Sequence, residues 1–218
     1  MRSKFELYVF DLDGTLLDTL EDLKDSVNAA LFAYGCKERS LEEVRNFVGN
    51  GIRNLMLQAV EGGNAHPEFE NIFQYFKDDY KKNCKNKTKP YSGIMDVLKQ
   101  LKRDGVKLAM VSNKADFAVK ELNLYYFKDL DMIAAGEKEG VRRKPAPDAV
   151  FQALKELNVD KEHAVYVGDS DVDIQTANNA EIPCISVLWG FREKEFLVEQ
   201  GGKVFAETPK ELLCLLQD

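Results

Sequence analysis

The sequence of 218 residues predicts an α/β protein: a parallel sheet with helices on both faces, interrupted by an inserted all-helical segment. Two observations support this fold class. From residue 90 onward, short apolar runs alternate with segments of helical spacing, which is the pattern of a parallel sheet covered on both faces. An earlier apolar run, Phe5 to Phe10, predicts a further strand, whereas residues 19–90 contain helical patterns and no convincing strand. The first strand therefore belongs with the later ones, and the helical segment is an insertion.

The insertion contains four helical patterns. They are an apolar stripe over 20–34, a helix opened by the capping box Ser40-Leu41-Glu42-Glu43, a stretch over 52–60, and an aromatic-rich stretch over 69–80 that follows Pro67. Gly49 and Gly51 separate the second pattern from the third. The segment is thus predicted to be all helix, joined to the sheet by hinges near residues 16–19 and 87–93.

The remainder of the chain predicts the rest of the sheet. Helices are expected over 94–103, 115–124, 147–157 and 172–180, and strands over 106–112, 132–135, 164–168 and 185–189. The expected architecture is a Rossmann-like core of residues 1–18 and 88–218 and a separate helical domain of residues 19–87.

The composition limits the class of protein. Hydrophobic residues make up 44% of the chain, which excludes disorder, and a net charge of −7 with a pI near 5.1 provides no basic surface for nucleic acid or anionic membranes. The four cysteines form no CxxC pair, and two histidines are too few for a readable zinc cluster. No signal peptide or membrane-spanning apolar stretch is visible. We expect a soluble, cytoplasmic protein with reduced thiols.

Two carboxylates follow the first strand at a spacing that needs an explanation. Asp11 and Asp13 are two residues apart, so on a strand they point to one face, and Gly14 then allows a sharp turn. Two close anions repel unless a cation lies between them or one carboxyl keeps its proton. An ordinary Asp/Gly turn explains Gly14 but not an acid directly after an apolar strand. The pair is therefore a candidate functional site.

Two later segments place polar groups at the same edge of the predicted sheet. Ser112-Asn113-Lys114 ends an apolar strand just before a helix, and together with that helix N-terminus it suits a phosphate group. An ordinary N-cap would explain the same residues. Lys144 precedes the helix that begins near Pro147, and it belongs to a site only if it turns inward to neutralise phosphate and carboxylates.

A second strand also ends in an acid. Asp169 follows the strand over 164–168, and Asp173 lies one helical turn farther on, where it can face the same site. Asp171 suits the first turn of the helix, where the helix dipole favours an acid. Carboxylate oxygens from two separate strand ends suit Mg²⁺, which takes few protein carboxylates and keeps water and phosphate oxygens as its other ligands. The sequence therefore predicts a Mg²⁺ site at this edge.

Together these residues resemble the haloacid dehalogenase superfamily of phosphohydrolases. The four motifs of that superfamily correspond here to Asp11-Leu12-Asp13-Gly14-Thr15, Ser112, Lys144 and Gly168-Asp169-Ser170-Asp171-Val172-Asp173, which span nearly the whole chain. The helical insertion directly after the first motif is similar to the type 1 cap of the superfamily. Two segments, Val48 to Arg53 and Val111 to Lys114, resemble the phosphoglycolate phosphatase branch.

The resemblance implies a phosphoric monoester hydrolase that works through an aspartyl phosphate. Asp11 would attack phosphorus, and Asp13 would protonate the leaving alcohol and then activate the hydrolytic water. Ser112 and Lys144 would bind the non-bridging oxygens and stabilise the charge that spreads over them.

The resemblance also implies a set of metal ligands. Asp11, the main-chain carbonyl of Asp13 and Asp169 would hold Mg²⁺ between the nucleophile and a phosphoryl oxygen. Asp173 would orient a metal-bound water or Lys144.

The substrate-binding residues expected on the same basis are Thr15, Gly49, Arg53, Asn113 and Lys114. Thr15 would fix Asp13 through the turn. In the cap, Gly49 to Arg53 offers exposed amides followed by a guanidinium suited to a carboxylate. A helix-ending glycine and a surface arginine would explain these cap residues equally well.

The expected reaction is Mg²⁺-dependent hydrolysis of a small phosphorylated metabolite, with 2-phosphoglycolate as the best single substrate. A phosphomutase of β-phosphoglucomutase type, a pyrophosphatase and a sugar-phosphate phosphatase are the alternatives within the superfamily. A binding module without turnover is disfavoured because the motif residues are intact. We expect a monomer or homodimer that binds neither nucleic acid nor membrane.

Overall fold

The described chain forms two compact units. A computed structural model describes residues 3–216. One unit, here the sheet unit, contains the residues up to Leu17 and from Pro90 onward, and the other, here the helical unit, contains Asp18–Lys89. The sequence prediction placed the two divisions after residues 18 and 87. Within the described part of the chain, no helix is both long enough and apolar enough to cross a membrane.

Six parallel strands make up the sheet of the sheet unit. They are β1 Leu7–Phe10, β4 Lys107–Ala115, β5 Ile133–Glu137, β6 Ala164–Gly168, β7 Cys184–Val187 and β8 Val204–Ala206, in the spatial order β5-β4-β1-β6-β7-β8. The predicted strands are confirmed with ends shifted by a few residues, whereas β8 was not predicted. Two further strands, β2 Leu17–Asp18 and β3 Lys89–Pro90, pair where the chain passes between the units. The expectation of no strand over 19–90 is therefore wrong at β3, where two extended residues pair with β2.

The register of the sheet brings three strand ends to one edge. β1 lies between β4 and β6, and its Phe10 pairs with Met110 on one side and Val167 on the other. Because all three strands are parallel, the residues that follow these positions emerge at the same carboxyl edge. Asp11 is the next residue of the central strand, so the first acidic motif lies at the middle of this edge.

The helical unit contains four α-helices. They are α1 Leu20–Ala33, α2 Leu41–Phe47, α3 Ile52–Ala59 and α4 Phe69–Asn83. The predicted capping box is confirmed at the start of α2, because the Ser40 side chain accepts from the Glu43 backbone N–H and the Glu43 carboxylate accepts from the Ser40 N–H. α1, α3 and α4 bury most of the apolar side chains that predicted them, whereas Tyr34 is exposed. α2, which the capping box predicted, buries Val44.

The helices of the sheet unit follow its strands. They are α5 Ile94–Arg103, α6 Asp116–Tyr126, α7 Asp148–Leu157, α8 Asp171–Ala180, α9 Lys194–Glu199 and α10 Pro209–Leu216. The first four confirm the predicted helices, and the last two were not predicted. On one face of the sheet, Val9, Val111 and Tyr166 pack with Val150 of α7 and Ala177 of α8 in one buried cluster. This buried cluster packs helices α7 and α8 against the strands whose carboxyl ends form the carboxyl edge.

A buried carboxylate anchors the chain where it leaves α4. Asp22 of α1 is 2% exposed and accepts backbone N–H bonds from Lys87, at 2.9 and 3.0 Å, and from Thr88, at 2.8 Å. We expect Asp22→Ala to lower the free energy of unfolding by about 2 kcal/mol, because it removes the acceptor of two backbone donors at a buried position. Urea unfolding followed by circular dichroism measures the loss.

The control for this change is Asp25→Ala on the same helix. Asp25 has 43% of its side chain exposed and pairs with the Lys87 ammonium at 2.6 Å. An exposed ion pair contributes less than about 1 kcal/mol. Equal losses in the two variants would contradict the anchoring role of Asp22.

Candidate active site

The residues predicted for the sheet unit gather at its carboxyl edge. They are Asp11, Asp13, Thr15, Ser112, Asn113, Lys114, Lys144, Asp169 and Asp173, and all except Asp13 are buried. The strand register described above brings the residues that follow β1, β4 and β6 together. Lys144 reaches them from the loop before α7. The edge therefore combines four carboxylates with two ammonium groups in a small buried volume.

Lys144 lies at the centre of this group. Its Nζ donates to Asp11 Oδ1 at 2.8 Å and to Asp173 Oδ1 at 2.7 Å. Its side chain is only 4% exposed, so Lys144 turns inward, which is the condition for it to belong to the site. Asn113 holds the Lys144 backbone, because its Nδ2 donates to the Lys144 carbonyl oxygen at 3.0 Å. One buried cation thus links the first motif to the last.

A second lysine is paired with the other aspartate of the first motif. Lys114 Nζ donates to Asp13 Oδ1 at 2.7 Å, and the Lys114 side chain is 1% exposed. The Lys114 backbone N–H donates to Ser112 Oγ at 3.3 Å, so a local hydrogen bond stabilises the end of β4. The structure thus gives Asp11 and Asp13 different cationic partners, although sequence alone presents them as equivalent acids.

Asp169 is held from both sides of its carboxylate. Its Oδ1 accepts from the Thr15 hydroxyl at 2.9 Å, and its Oδ2 accepts from the Phe191 backbone N–H at 2.8 Å. Two glycines allow the close approach: a Cβ at Gly14 or at Gly190 would lie 2.3 Å from an atom of the Asp169 side chain. Gly14 also has φ +84°, a conformation that favours glycine.

Asp173 has a structural bond as well as its contact with Lys144. Its Oδ2 accepts from the Ser170 backbone N–H at 3.1 Å and from the Ser170 hydroxyl at 2.6 Å, which completes a capping box at the start of α8. Asp171 lies in the first turn of the same helix, as predicted. Since Lys144 and Ser170 each engage one oxygen of Asp173, this carboxylate is well placed to orient Lys144.

The substrate-binding residues predicted in the sheet unit all make internal bonds. Thr15 donates to Asp169, Asn113 donates to the Lys144 carbonyl, and Lys114 donates to Asp13. Their contact with a substrate stays a prediction, whereas their support of the acidic residues is a feature of the structure.

Gly49 and Arg53 lie in the helical unit. Arg53 is at the start of α3 and donates to Glu70 Oε2 at 3.0 Å and to Asn64 Oδ1 at 3.4 Å. Gly49 has φ +121°, in the region that favours glycine. The substrate-binding role of both residues stays a prediction, and a carboxylate ligand of Arg53 would have to compete with Glu70.

Burial changes the acidity of two of the carboxyls. Loss of solvation raises the pKa of Asp11 to about 7, opposed by the Lys144 charge and reinforced by Asp173 and Asp13. Loss of solvation, together with the charges of Asp173 and Asp11, raises the pKa of Asp169 to about 8. With all four carboxyls ionised, the negative charge of this cluster exceeds what Lys144 and Lys114 neutralise.

This excess charge fits a divalent cation. Asp11, Asp169 and Asp173 each offer a carboxylate oxygen, and the three oxygens lie within 4.8 Å of one another. Three hard oxygen donors in a buried, net-negative cluster form a suitable site for a hard metal ion such as Mg²⁺. The donor chemistry of the site therefore agrees with the metal prediction.

Sequence reasoning missed Tyr166 and the Phe191 amide. Tyr166 lies on β6, and its hydroxyl is 3.1 Å from Lys144 Nζ. A tyrosine within an otherwise aliphatic strand that ends in Gly168-Asp169 was an available signal. No sequence pattern indicated the Phe191 N–H, because every residue except proline has a backbone donor and the side chains do not reveal which donor is used.

Comparisons with known proteins agree with this geometry. The family described as haloacid dehalogenase-like hydrolase matches residues 8–187. Phosphoglycolate phosphatase 1 of Pseudomonas aeruginosa is 32% identical over 217 residues, which cover 95% of this chain and 78% of that protein. N-acetylmuramic acid 6-phosphate phosphatase of the same species is 27% identical over 217 residues, covering 99% of this chain and 96% of that protein.

A solved structure is also similar along nearly its whole length. The crystal structure of a protein from Lactobacillus delbrueckii subsp. bulgaricus, described as a candidate phosphoglycolate phosphatase, matches with a TM-score of 0.92 and 36% identity. The match covers 98% of this chain and 99% of that one. With the motif residues assembled at one sheet edge and the family match extending over most of the sequence, the chain belongs to the haloacid dehalogenase-like hydrolases.

Proposed function

We propose that this protein is a Mg²⁺-dependent phosphatase that hydrolyses a small phosphomonoester through an aspartyl phosphate, with 2-phosphoglycolate as its substrate. The similarity to phosphoglycolate phosphatase 1 of Pseudomonas aeruginosa supports the choice of substrate. The proposal includes a cytoplasmic location and action as a monomer or homodimer.

The observation that supports this proposal best is the bond between Lys144 and Asp11. A buried carboxylate at a strand end, with an ammonium 2.8 Å from one oxygen, is a nucleophile held beside the cation that its phosphoryl target needs. An acid with a purely structural role would gain nothing from this position at the carboxyl edge. The arrangement therefore favours phosphoryl transfer over a binding function.

In the first half-reaction, an Asp11 carboxylate oxygen forms a bond to phosphorus while the bond from phosphorus to the leaving alcohol oxygen breaks. Asp13 gives its proton to that oxygen, so the alcohol leaves neutral. Lys144 and Ser112 donate to non-bridging oxygens, where charge accumulates in the transition state.

In the second half-reaction, a water oxygen forms a bond to phosphorus and the aspartyl phosphate bond breaks. Asp13, now a carboxylate, takes the proton of that water. Inorganic phosphate leaves, and both aspartates return to their starting states. Lys114 keeps the Asp13 carboxyl at a defined position through its 2.7 Å bond.

The residues that would hold Mg²⁺ are Asp11, Asp169 and the main-chain carbonyl of Asp13. Asp173 would act through Lys144 or through a water molecule, since Ser170 and Lys144 engage its two oxygens. When bound, the metal supplies positive charge that neutralises the buried carboxylates and the phosphoryl group.

The test is a substrate panel with purified protein, measured as phosphate release with Mg²⁺ and with EDTA. We expect 2-phosphoglycolate to have the highest kcat/KM, and EDTA to abolish the activity. N-acetylmuramic acid 6-phosphate, glucose 6-phosphate and pyrophosphate are the competing substrates, and β-glucose 1-phosphate tests the mutase alternative.

Each alternative has its own outcome. A higher kcat/KM for a sugar phosphate would retain the phosphatase and reject 2-phosphoglycolate. Interconversion of sugar phosphates without phosphate release would indicate a mutase. Activity that EDTA leaves unchanged would reject metal dependence.

A further inference from the structure

The ammonium group of Lys144 donates three hydrogen bonds within the protein. Besides the bonds to Asp11 at 2.8 Å and to Asp173 at 2.7 Å, its Nζ donates to the Tyr166 hydroxyl oxygen at 3.1 Å. A lysine ammonium has three N–H donors and no more. A phosphoryl oxygen that binds Lys144 must therefore replace one of the three acceptors.

Replacing the Tyr166 hydroxyl as an acceptor costs less free energy than replacing the carboxylate of Asp11 or Asp173. Hydrogen bonds from an ammonium to a carboxylate are charge-assisted, and they are shorter and stronger than a bond to a neutral phenol. The distances follow this order, since the Tyr166 bond is the longest of the three. Releasing either carboxylate would also leave a buried anion without its cation.

The orientation of the Tyr166 hydroxyl is determined by a second bond. Its O–H donates to the Val111 carbonyl oxygen at 3.1 Å, so a lone pair of the phenol oxygen faces Lys144. Tyr166 is on β6 and Val111 is on β4, which means that the ring extends beneath the central strand β1. Burial raises the pKa of the Tyr166 phenol well above its usual value, so the hydroxyl keeps its proton.

We propose that Tyr166 is a positioning residue that accepts the third ammonium proton of Lys144 and gives up that bond to a phosphoryl oxygen when ligand binds. The inference rests on the proposed phosphatase function, because it requires a phosphoryl oxygen beside Asp11. It assigns a role to a buried polar side chain that the proposed reaction steps do not otherwise use.

The test is Tyr166→Phe, which retains the ring and removes only the hydroxyl. In the ligand-free variant, one Lys144 N–H loses its acceptor, whereas in the ligand-bound variant that N–H meets the phosphoryl oxygen. The variant also lacks the hydrogen bond from the Tyr166 hydroxyl to the Val111 carbonyl. Because this bond is missing both with and without ligand, its loss does not change the Kd. We expect orthovanadate, in the presence of Mg²⁺, to bind Tyr166→Phe at least about tenfold more tightly than the wild type, the equivalent of one hydrogen bond from a charged donor.

The matched control is Tyr8→Phe. Tyr8 is also fully buried, on β1, and its hydroxyl donates to the Leu216 carbonyl at 3.0 Å, away from the carboxyl edge. Both variants should have a lower melting temperature without ligand, but Tyr8→Phe should leave the Kd for orthovanadate unchanged. Vanadate binding measured by isothermal titration calorimetry separates a positioning role from a purely structural one.

A second measurement keeps the inference testable if Tyr166→Phe fails to fold. The protein is prepared with 3-fluorotyrosine at position 166 alone, and separately at position 8 alone. Adding orthovanadate with Mg²⁺ should shift the fluorine resonance at position 166 and leave that at position 8 in place.

The outcomes distinguish this inference from the proposed function. If the wild type neither binds orthovanadate nor hydrolyses p-nitrophenyl phosphate, the proposed function fails. If the wild type does both, and Tyr166→Phe binds orthovanadate with equal or weaker affinity, the inference is wrong and the proposed function stands. Equal affinity would mean that Lys144 retains Tyr166 when the ligand binds and gives up another acceptor, and weaker binding would mean that the Tyr166 hydroxyl stabilises the ligand-bound site.

Discussion

Asp11→Asn should abolish turnover, with a fall in kcat on the order of 10⁴-fold or more, as expected for loss of a covalent nucleophile. The amide has the shape of the carboxylate, and its oxygen can still accept from Lys144, but it cannot attack phosphorus. The variant should therefore fold and bind phosphate without forming an aspartyl phosphate. Initial rates of phosphate release and mass spectrometry of acid-quenched protein are the measurements.

The control for Asp11→Asn is Asp13→Asn. The second variant retains the nucleophile and loses the proton donor and acceptor, so it should still accept a phosphoryl group from an activated ester such as p-nitrophenyl phosphate. The phosphoryl group should then persist on Asp11, because no base activates the hydrolytic water. A phosphopeptide that maps to any residue other than Asp11, or full activity in Asp11→Asn, would reject the nucleophile assignment.

Asp169→Asn should be more stable than the wild type without Mg²⁺ at pH 8 and less stable with it. In the metal-free protein the pKa of Asp169 is about 8, well above its usual value of 3.8. An acid whose pKa rises on folding contributes stability that is fully present below pH 3.8 and is lost as the pH rises to about 8. Asp11 adds a similar loss up to about pH 7. The metal-free wild type should therefore become less stable between pH 4 and pH 8.

Asparagine cannot ionise, so Asp169→Asn removes part of this pH dependence. Its amide can still accept from the Phe191 N–H and can donate to the Thr15 hydroxyl, which preserves the local bonds. At pH 8 without metal, the variant should be more stable than the wild type. With Mg²⁺ the order should reverse, because the metal stabilises the folded wild type by binding and the variant has lost a ligand.

The measurement is urea unfolding at pH 5 and pH 8, with EDTA and with Mg²⁺. Asp171→Asn is the matched control, since Asp171 lies on the first turn of α8 and outside the cluster of three carboxylates. Its unfolding should respond to Mg²⁺ as the wild type does. A metal-free Asp169→Asn protein that is less stable than the wild type at pH 8 would contradict the raised pKa of Asp169.

The sequence was sufficient for the elements that have a strong local pattern. The alternation of strands and helices after residue 90 predicted the parallel sheet, and the capping box at Ser40 predicted the start of α2. The elements it missed have weaker patterns: β8, Val204–Ala206, has three residues, and α9, Lys194–Glu199, has six. Short elements contain too few residues for a period to be recognised, and they are stabilised by their neighbours.

The sequence could predict which residues make up most of the candidate site, because these polar residues directly follow apolar runs that predict strands. Asp11, Asp13, Ser112 and Asp169 stood out for this reason, and parallel strands bring their ends to one edge whatever the details of packing. Thr15 shows the limit of that reasoning. The family resemblance implied that Thr15 fixes Asp13 through the turn, whereas its hydroxyl is bonded to Asp169, 154 residues away.

By itself, the sequence determined the fold class, the helical insertion and the residue types of the site, because these depend on local periodicity and on which positions carry charge. Only the tertiary structure decided the partners. Lys144 pairs with Asp11 and Asp173, Lys114 pairs with Asp13, and Tyr166 takes the third proton of Lys144. The physical reason is that a buried charge must be compensated by the nearest group of opposite sign, and which group is nearest depends on the register between strands that are distant in the chain.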